Sequence, residues 1–119
     1  MIFLTVGSQM PFPRLVAAVD AWAAANPGVA VEAQIGEDAP APAHLAHVPR
    51  LAPEAFDAAC RRARLVVAHA GTGSLIDALT RGRPILVMPR RAHLGETRTD
   101  HQLATAARFA DRAGVHVAA

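Results

Sequence analysis

One stretch near the middle of the chain restricts the fold more than any other. Residues 65–89 have the sequence LVVAHAGTGSLIDALTRGRPILVMP, in which two apolar runs flank a glycine-containing turn and a helix-like segment. This order predicts a strand at 65–68, a helix at 75–80 and a second strand at 85–88. Glycine in the first turn lets a ligand approach the main chain, while the first N–H groups of the helix have no partners within it. The turn is therefore a candidate anion site, and the alternative is a tight turn without a ligand.

The spacing of Gly71 and Gly73 does not match two better-known anion-binding motifs. It is G-x-G, whereas dinucleotide-binding turns have G-x-G-x-x-G and phosphate-binding loops have G-x-x-x-x-G-K. The turn by itself therefore does not identify its ligand.

The rest of the chain continues the alternation of strands and helices. Further strands are predicted at 2–6, 29–35, 44–49 and 115–117, and helices at 15–25, 53–63 and 99 to about 113. Six strands alternating with helices predict an α/β fold, in which one domain over residues 1–119 contains a Rossmann-like, doubly wound parallel sheet in the order 3-2-1-4-5-6. In this order the first and fourth strands are neighbours. The turn at Gly7, Ser8 and Gln9 should then face the turn at Gly71 across one crevice.

The charge and the residue composition narrow the class of ligand. All 12 basic residues are arginine, although the net charge is only +2. Arginine forms planar, bidentate contacts with phosphate and carboxylate groups, so an anionic ligand is expected. A nucleic acid is not expected, because the chain has no dense basic run and only 4% aromatic residues.

The sequence gives no signal for a disulfide, a metal site or a membrane span. Cys60 is the only cysteine, which excludes a disulfide within the chain and a cysteine-rich metal site. His44 and His47 have a helical spacing, but nearby prolines argue against a helix, and on a strand the two side chains point to opposite faces. No apolar run approaches the roughly 20 residues that cross a bilayer, and residues 1–6 lack the basic start of a signal peptide. A cytoplasmic protein without a bound metal is therefore expected.

Five short segments of the chain occur in the order Gly7-Ser8-Gln9, His69-Ala70-Gly71-Thr72-Gly73-Ser74, Gly82-Arg83-Pro84, Pro89-Arg90-Arg91 and Asp100-His101-Gln102. Together they resemble the C-terminal, donor-binding domain of family 28 glycosyltransferases. The likeness covers nearly the whole chain and is greatest to small stand-alone subunits of this type. These are the catalytic subunit of the dolichol-linked N-acetylglucosamine transferase and the bacterial exopolysaccharide glucuronosyltransferase subunits.

The resemblance implies one half of a GT-B enzyme, in which a UDP-sugar lies between two Rossmann-like domains. It implies transfer with inversion and without a metal, and the chain has no Asp-x-Asp pair to hold a divalent cation on the diphosphate. No cofactor is expected besides the UDP-sugar donor. In the small-subunit families a membrane-anchored partner holds a lipid-linked acceptor, so recruitment to the cytoplasmic face of the membrane is expected. We expect that partner to provide the general base and this chain to have little activity by itself.

The residues expected to contact the donor come from the two turns, the loop after the fifth strand and the start of the last helix. Backbone N–H groups of the Gly71 turn would bind the diphosphate, since fixed donors stabilise a leaving group at little cost. His69 is expected mainly to orient its turn and is a weak catalytic candidate. The full set is Gly7, Ser8, Gln9, His69, Gly71, Thr72, Gly73, Ser74, Asp77, Arg90, Arg91, Asp100 and Gln102.

Several of these residues have a second, purely structural interpretation. The family role of Asp77 is to bind the ribose, but Ser74-x-x-Asp77 also has the pattern of a capping box. The family role of Asp100 and Gln102 is to bind sugar hydroxyls, but Asp100 also suits a helix dipole, and Thr99-x-x-Gln102 a capping box. Arg90 and Arg91 suit either a phosphate or acidic sugar or a solvated loop. The sequence does not fix the sugar, and a non-catalytic nucleotide-sugar binding or regulatory module is the alternative function.

Overall fold

The predicted six-stranded parallel sheet is confirmed. A computed structural model of the chain describes residues 1–7 and 10–118. The strands are β1 (Ile2–Thr5), β2 (Val31–Gln34), β3 (Ala46–Val48), β4 (Leu65–His69), β5 (Ile85–Met88) and β6 (Val115–Val117). The helices are α1 (Pro13–Ala25), α2 (Pro53–Arg62), α3 (Thr72–Thr80) and α4 (His101–Phe109), with a 3₁₀ turn at Ala92–Leu94.

The strands lie in the order β3-β2-β1-β4-β5-β6, as predicted. All pairs are parallel, and Ile2 of β1 is paired with Val31 of β2 on one side and Leu65 of β4 on the other. From β1 the chain therefore continues to β2 and β3 on one side of β1, and then crosses back to β4 on the other side. A crevice at the carboxyl ends of β1 and β4 is the usual ligand position in such a sheet.

The two faces of the sheet are covered unequally. Alternate residues of a strand face opposite ways, so Phe3 packs with α2, α3 and α4, whereas Leu4 packs with α1. On the α1 side, an apolar groove of about 360 Å³ lies between the helix and β4 and β5. Its lining includes Leu15, Val19, Trp22, Leu65, Leu86 and Met88. We call this surface the apolar groove.

Helices α3 and α4 differ most from their predicted bounds. Helix α3 begins at Thr72 instead of residue 75, because the N–H of Leu75 donates to the carbonyl of Gly71 and closes the first turn around Gly73. Helix α4 ends at Phe109, and turns occupy the residues before Gly114, which has φ 82°. Sequence patterning missed the first turn of α3 because glycine is a poor helix former.

The predicted capping box at Thr99 and Gln102 is wrong. Asp100 is the N-cap of α4, and no side chain caps this helix. The hydroxyl of Thr99 accepts from the N–H of His101, at 3.3 Å, and the side chain of Gln102 binds elsewhere. Within the described ranges, no helix is long and apolar enough to cross a membrane.

Candidate functional site

A cavity of about 500 Å³ lies at the carboxyl ends of β1, β4 and β5. We call it the edge cavity. It brings together the loop after β1, the turn between β4 and α3, the loop after β5 and the first turn of α4. The predicted residues that line it are Gly7, His69, Gly71, Gly73, Ser74, Arg90 and Gln102.

The imidazole of His69 lies between Gly7 and Gly71. A Cβ atom on Gly7, which has φ 83°, would stand 2.7 Å from Nε2 of His69, and one on Gly71 would stand 2.6 Å from Cε1. Such distances are shorter than van der Waals contact, so any larger residue at either position would displace the ring. Glycine at these positions therefore makes room for His69, in addition to any approach by a ligand.

The side chain of Gln102 joins His69 to the ends of two strands. Its Oε1 accepts from the backbone N–H of Ala70, at 3.2 Å, and of Arg90, at 3.1 Å. Its Nε2 lies 3.0 Å from Nδ1 of His69, and the other ring nitrogen lies 3.4 Å from the hydroxyl oxygen of Ser74. Burial, and next the charge of Arg90, lower the pKa of His69 to about 4. His69 is thus a neutral group at physiological pH.

Arg90 is buried and holds the loop after β1. Its Nη2 donates to the carbonyls of Val6 and Met10, both at 2.7 Å, and its Nη1 donates to those of Pro11 and Glu96. The guanidinium also stacks on the ring of Phe12, with 4.7 Å from its carbon to the ring centre. Burial lowers the pKa of Arg90, although the nearby carboxylate of Glu96 opposes this. The solvated-loop interpretation is therefore wrong for Arg90.

A second arginine ties the same two loops together from the start of α1. Arg14 donates to both carboxylate oxygens of Glu96, at 2.8 and 2.9 Å, and to the carbonyl of Pro89 at 3.1 Å. Glu96 also accepts from the N–H of Arg91 at 3.0 Å. The hydrogen bond from Arg14 is the main reason that the pKa of Glu96 is low. The cavity wall is thus fixed before any ligand binds.

The chemistry of this arrangement suits an anion. The first N–H groups of α3 have no partners in the helix and lie beside the neutral imidazole and the Ser74 hydroxyl. Among the described residues that line the cavity there is no carboxylate. No group of metal-ligating side chains occurs in the described part of the chain.

Comparison with known proteins identifies the family. The family model described as glycosyltransferase family 28 C-terminal domain matches residues 1–117. The chain belongs to this family.

A structural relative supports the fold of this family 28 domain. The crystal structure of the glycotransferase of kitacinnamycin aligns with it at a TM-score of 0.73 and 21% sequence identity. The alignment covers 98% of this chain and 30% of that one, so the chain spans under a third of the length of the relative. The family 28 domain is thus Rossmann-like and corresponds to one half of a GT-B glycosyltransferase. No curated protein matches its sequence.

Asp77 lies on the side of α3 that faces α2, and it does not line the edge cavity. Oδ1 of Asp77 accepts from Nε of Arg81 at 3.1 Å, and Arg81 also pairs with Asp57 of α2. The N-cap of α3 is Gly71, and no side chain caps the helix, so the capping-box interpretation of Ser74 and Asp77 is wrong.

The other predicted residues of the domain lie at the rim of the edge cavity or outside its lining. Thr72 is an exposed residue at the start of α3, and Arg91 is half-buried, with its N–H on Glu96. Oδ1 of Asp100 accepts from the N–H of Ala92 at 3.0 Å and so fixes the loop after β5. Ser8 and Gln9 lie outside the described residues.

Sequence reasoning missed several residues of this site in the family 28 domain. Thr97, Val6 and Met10 line the cavity, and Arg14 and Glu96 brace it. A signal for Arg14 exists, because a cation in the first turn of a helix is opposed by the helix dipole and needs another partner. Nothing in the local pattern indicates that this partner is Glu96.

Proposed function

We propose that the edge cavity binds the diphosphate of a UDP-sugar and that the chain is the donor-binding part of a hexosyltransferase. One observation carries the proposal. One cavity of this family 28 domain, at the carboxyl ends of β1 and β4, is lined by three kinds of group that bind anions. These are the unpartnered N–H groups of α3, the Ser74 hydroxyl and the neutral imidazole of His69. A volume of about 500 Å³ lies within the range of small-molecule sites.

Sugar transfer requires stabilisation of the diphosphate that leaves as the acceptor hydroxyl attacks the anomeric carbon. N–H groups that are already oriented stabilise developing negative charge without rearrangement, and loss of one such donor typically costs about 3 kcal/mol of barrier. The Gly71 turn is oriented in this way, because Gln102 and Arg90 fix the ends of β4 and β5 around it. We propose inverting transfer in which these donors stabilise the leaving group without a metal.

The acceptor side is proposed to lie in another protein. Transfer with inversion needs a general base for the acceptor hydroxyl. The described lining of the cavity contains no carboxylate, and His69 has a low pKa. A membrane-associated partner that holds a lipid-linked acceptor and completes the base would meet this need, with the chain recruited to the cytoplasmic face of the membrane.

The same lack of a carboxylate in the described lining favours a second candidate, a non-catalytic nucleotide-sugar binding module. Both candidates bind UDP. Transfer on mixing with a membrane partner, and none by the chain without it, supports the enzyme. Binding without transfer in any such mixture supports the module.

The first test is a calorimetric titration of the chain with UDP in a buffer that contains a chelator, with ADP as the control. We expect selective binding of UDP that weakens about tenfold in Ser74→Ala, because one hydrogen bond to a charged group is lost. Thr80→Ala is the matched control on the same helix, since the Thr80 hydroxyl binds the carbonyl of Ile76 away from the cavity. Absence of UDP binding, or equal effects of the two variants, would overturn the proposed site.

A further inference from the structure

The orientation of the Gln102 amide is determined by its neighbours. Two backbone N–H groups, those of Ala70 and Arg90, point at one end of this amide. Only the carbonyl oxygen can accept them, because an NH₂ group in that place would put donors against donors. The NH₂ end of Gln102 must therefore face His69, with Nε2 at 3.0 Å from Nδ1.

This orientation determines where His69 carries its proton. The NH₂ group is only a donor, so Nδ1 of His69 must accept and cannot carry a hydrogen. In a neutral imidazole the hydrogen then resides on Nε2. A second proton would have to go to Nδ1, where it would meet the hydrogens of the Gln102 amide.

The remaining neighbours of the ring do not favour its protonation. Ser74 from α3 and Gly7 from the loop after β1 are uncharged, and Arg90 from the loop after β5 is cationic. Among the described groups packed against His69, Arg90 is the charged one. The low pKa of His69 agrees with these surroundings.

The Nε2 atom is the ring nitrogen on the cavity side. It lies between Gly7 and Gly71, and the oxygen of Ser74 at 3.4 Å is too distant for a strong hydrogen bond. An incoming anionic oxygen can therefore accept the hydrogen of Nε2 without breaking a good contact. A hydroxyl that must lose a proton finds no free lone pair on this nitrogen.

We propose that Gln102 is a positioning residue that locks His69 as the neutral Nε2–H tautomer, so that His69 donates a hydrogen bond to a phosphate oxygen and does not act as a general base. The ligand part of this statement rests on the proposed function. The tautomer part does not, because it concerns the free protein. This role differs from the sugar-hydroxyl contact that the sequence predicted for Gln102. Its Oε1 already accepts two backbone N–H groups, and one hydrogen of its NH₂ group points to His69.

The test is a long-range ¹H–¹⁵N NMR spectrum of the free chain at neutral pH, with the His69 signals assigned by their loss in His69→Asn. We expect an unprotonated Nδ1 and a protonated Nε2. A protonated Nδ1 in the wild-type chain would overturn the proposal, whatever UDP does.

Gln102→Glu tests the cause. One carboxylate oxygen can still accept from Ala70 and Arg90, but the other now accepts a hydrogen from Nδ1. We expect Nδ1 to become protonated and the pKa of His69 to rise by at least about one unit. Gln102→Met, which removes the lock without adding an acceptor, should give a mixture of both tautomers. An unchanged tautomer in either variant would show that Gln102 does not set it, and the wild-type spectrum decides the main point if a variant does not fold.

The ligand part has its own readout. Addition of UDP should shift the Nε2 proton of His69, and Gln102→Glu should weaken UDP binding about tenfold. Binding of UDP that leaves the Nε2 proton unmoved would overturn the donor role of His69. Absence of UDP binding together with the expected tautomer would overturn the proposed function and leave the lock established.

Discussion

The edge cavity and the apolar groove are similar in size and opposite in construction. In the edge cavity, Arg90 and Gln102 each hold two or more backbone groups from different loops. In the apolar groove, Leu86 and Met88 of β5 are partly buried beside α1, and Trp22 is 43% exposed. The side chains of Arg90 and Gln102 bind specific backbone groups, whereas the groove residues share only their apolar character. The comparison shows that substitutions in the cavity should affect the site through geometry, and those in the groove through buried area.

The largest expected effect is a difference in the free energy of unfolding between variants of two adjacent arginines, Arg90 and Arg91. Arg90→Met leaves the carbonyls of Val6, Met10, Pro11 and Glu96 without their shared donor. Because hydrogen bonds to a charged group contribute roughly 1.5–3 kcal/mol each, we expect the free energy of unfolding to fall by at least about 3 kcal/mol. Urea denaturation measures this loss. Arg91→Met is the matched control, with an expected change within about 0.5 kcal/mol, and equal losses would contradict the assigned role of Arg90.

The second-largest expected effect is the contribution of His69 to the pH dependence of stability. Its pKa is lowered from about 6.5 in the unfolded chain to about 4 in the folded protein, so the unfolded chain binds the proton first. The stabilisation is fully present above pH 6.5 and is lost as the pH falls towards 4, by roughly 3 kcal/mol.

The measurement is the free energy of unfolding from pH 7 to pH 4 for the wild type and His69→Asn. The difference between their slopes isolates His69, and Glu96→Gln isolates a second low-pH contribution, since the pKa of Glu96 is lowered by Arg14. Parallel slopes for wild type and His69→Asn would rule out the buried neutral state of His69.

The smallest effect is expected in the apolar groove. Leu86→Ala removes part of a half-buried side chain, which should lower the free energy of unfolding by about 1 kcal/mol and leave UDP affinity unchanged. Val87→Ala, the next residue of β5, faces the fully covered side of the sheet and should cost about twice as much. A change in UDP affinity with Leu86→Ala would break the distinction between the two regions.

Local patterns were sufficient to predict the sheet and the glycine turn that precedes α3. Apolar runs and turn residues act over a few positions, and topological rules for parallel sheets then leave one order as the commonest. The meeting of the Gly7 and Gly71 turns follows from that order. The family resemblance was carried by the same short segments, and the match to residues 1–117 confirms it.

Side-chain partners of the site could not be predicted in this way. The contact between Arg90 and Val6 spans 84 residues, and that between Arg14 and Glu96 spans 82. Such pairs depend on how the loops pack against one another once the sheet has formed. This packing leaves no periodic pattern in the sequence. The side chain of Gln102 illustrates the limit, since its position predicted a cap or a sugar contact and its observed partners are the ends of β4 and β5.

The pairing of β1 with β4 has a consequence for how the chain acquires its structure. The centre of the sheet forms only when Ile2 pairs with Leu65, and this pairing closes the long segment of chain between them into a loop. Long-range parallel pairing of this kind carries a loop-closure entropy that slows folding. While β4 is missing, the edge of β1 that it will cover is open to pairing with other chains. The same connectivity that assembles the cavity therefore makes the newly made chain most prone to aggregate before its fourth strand is in place.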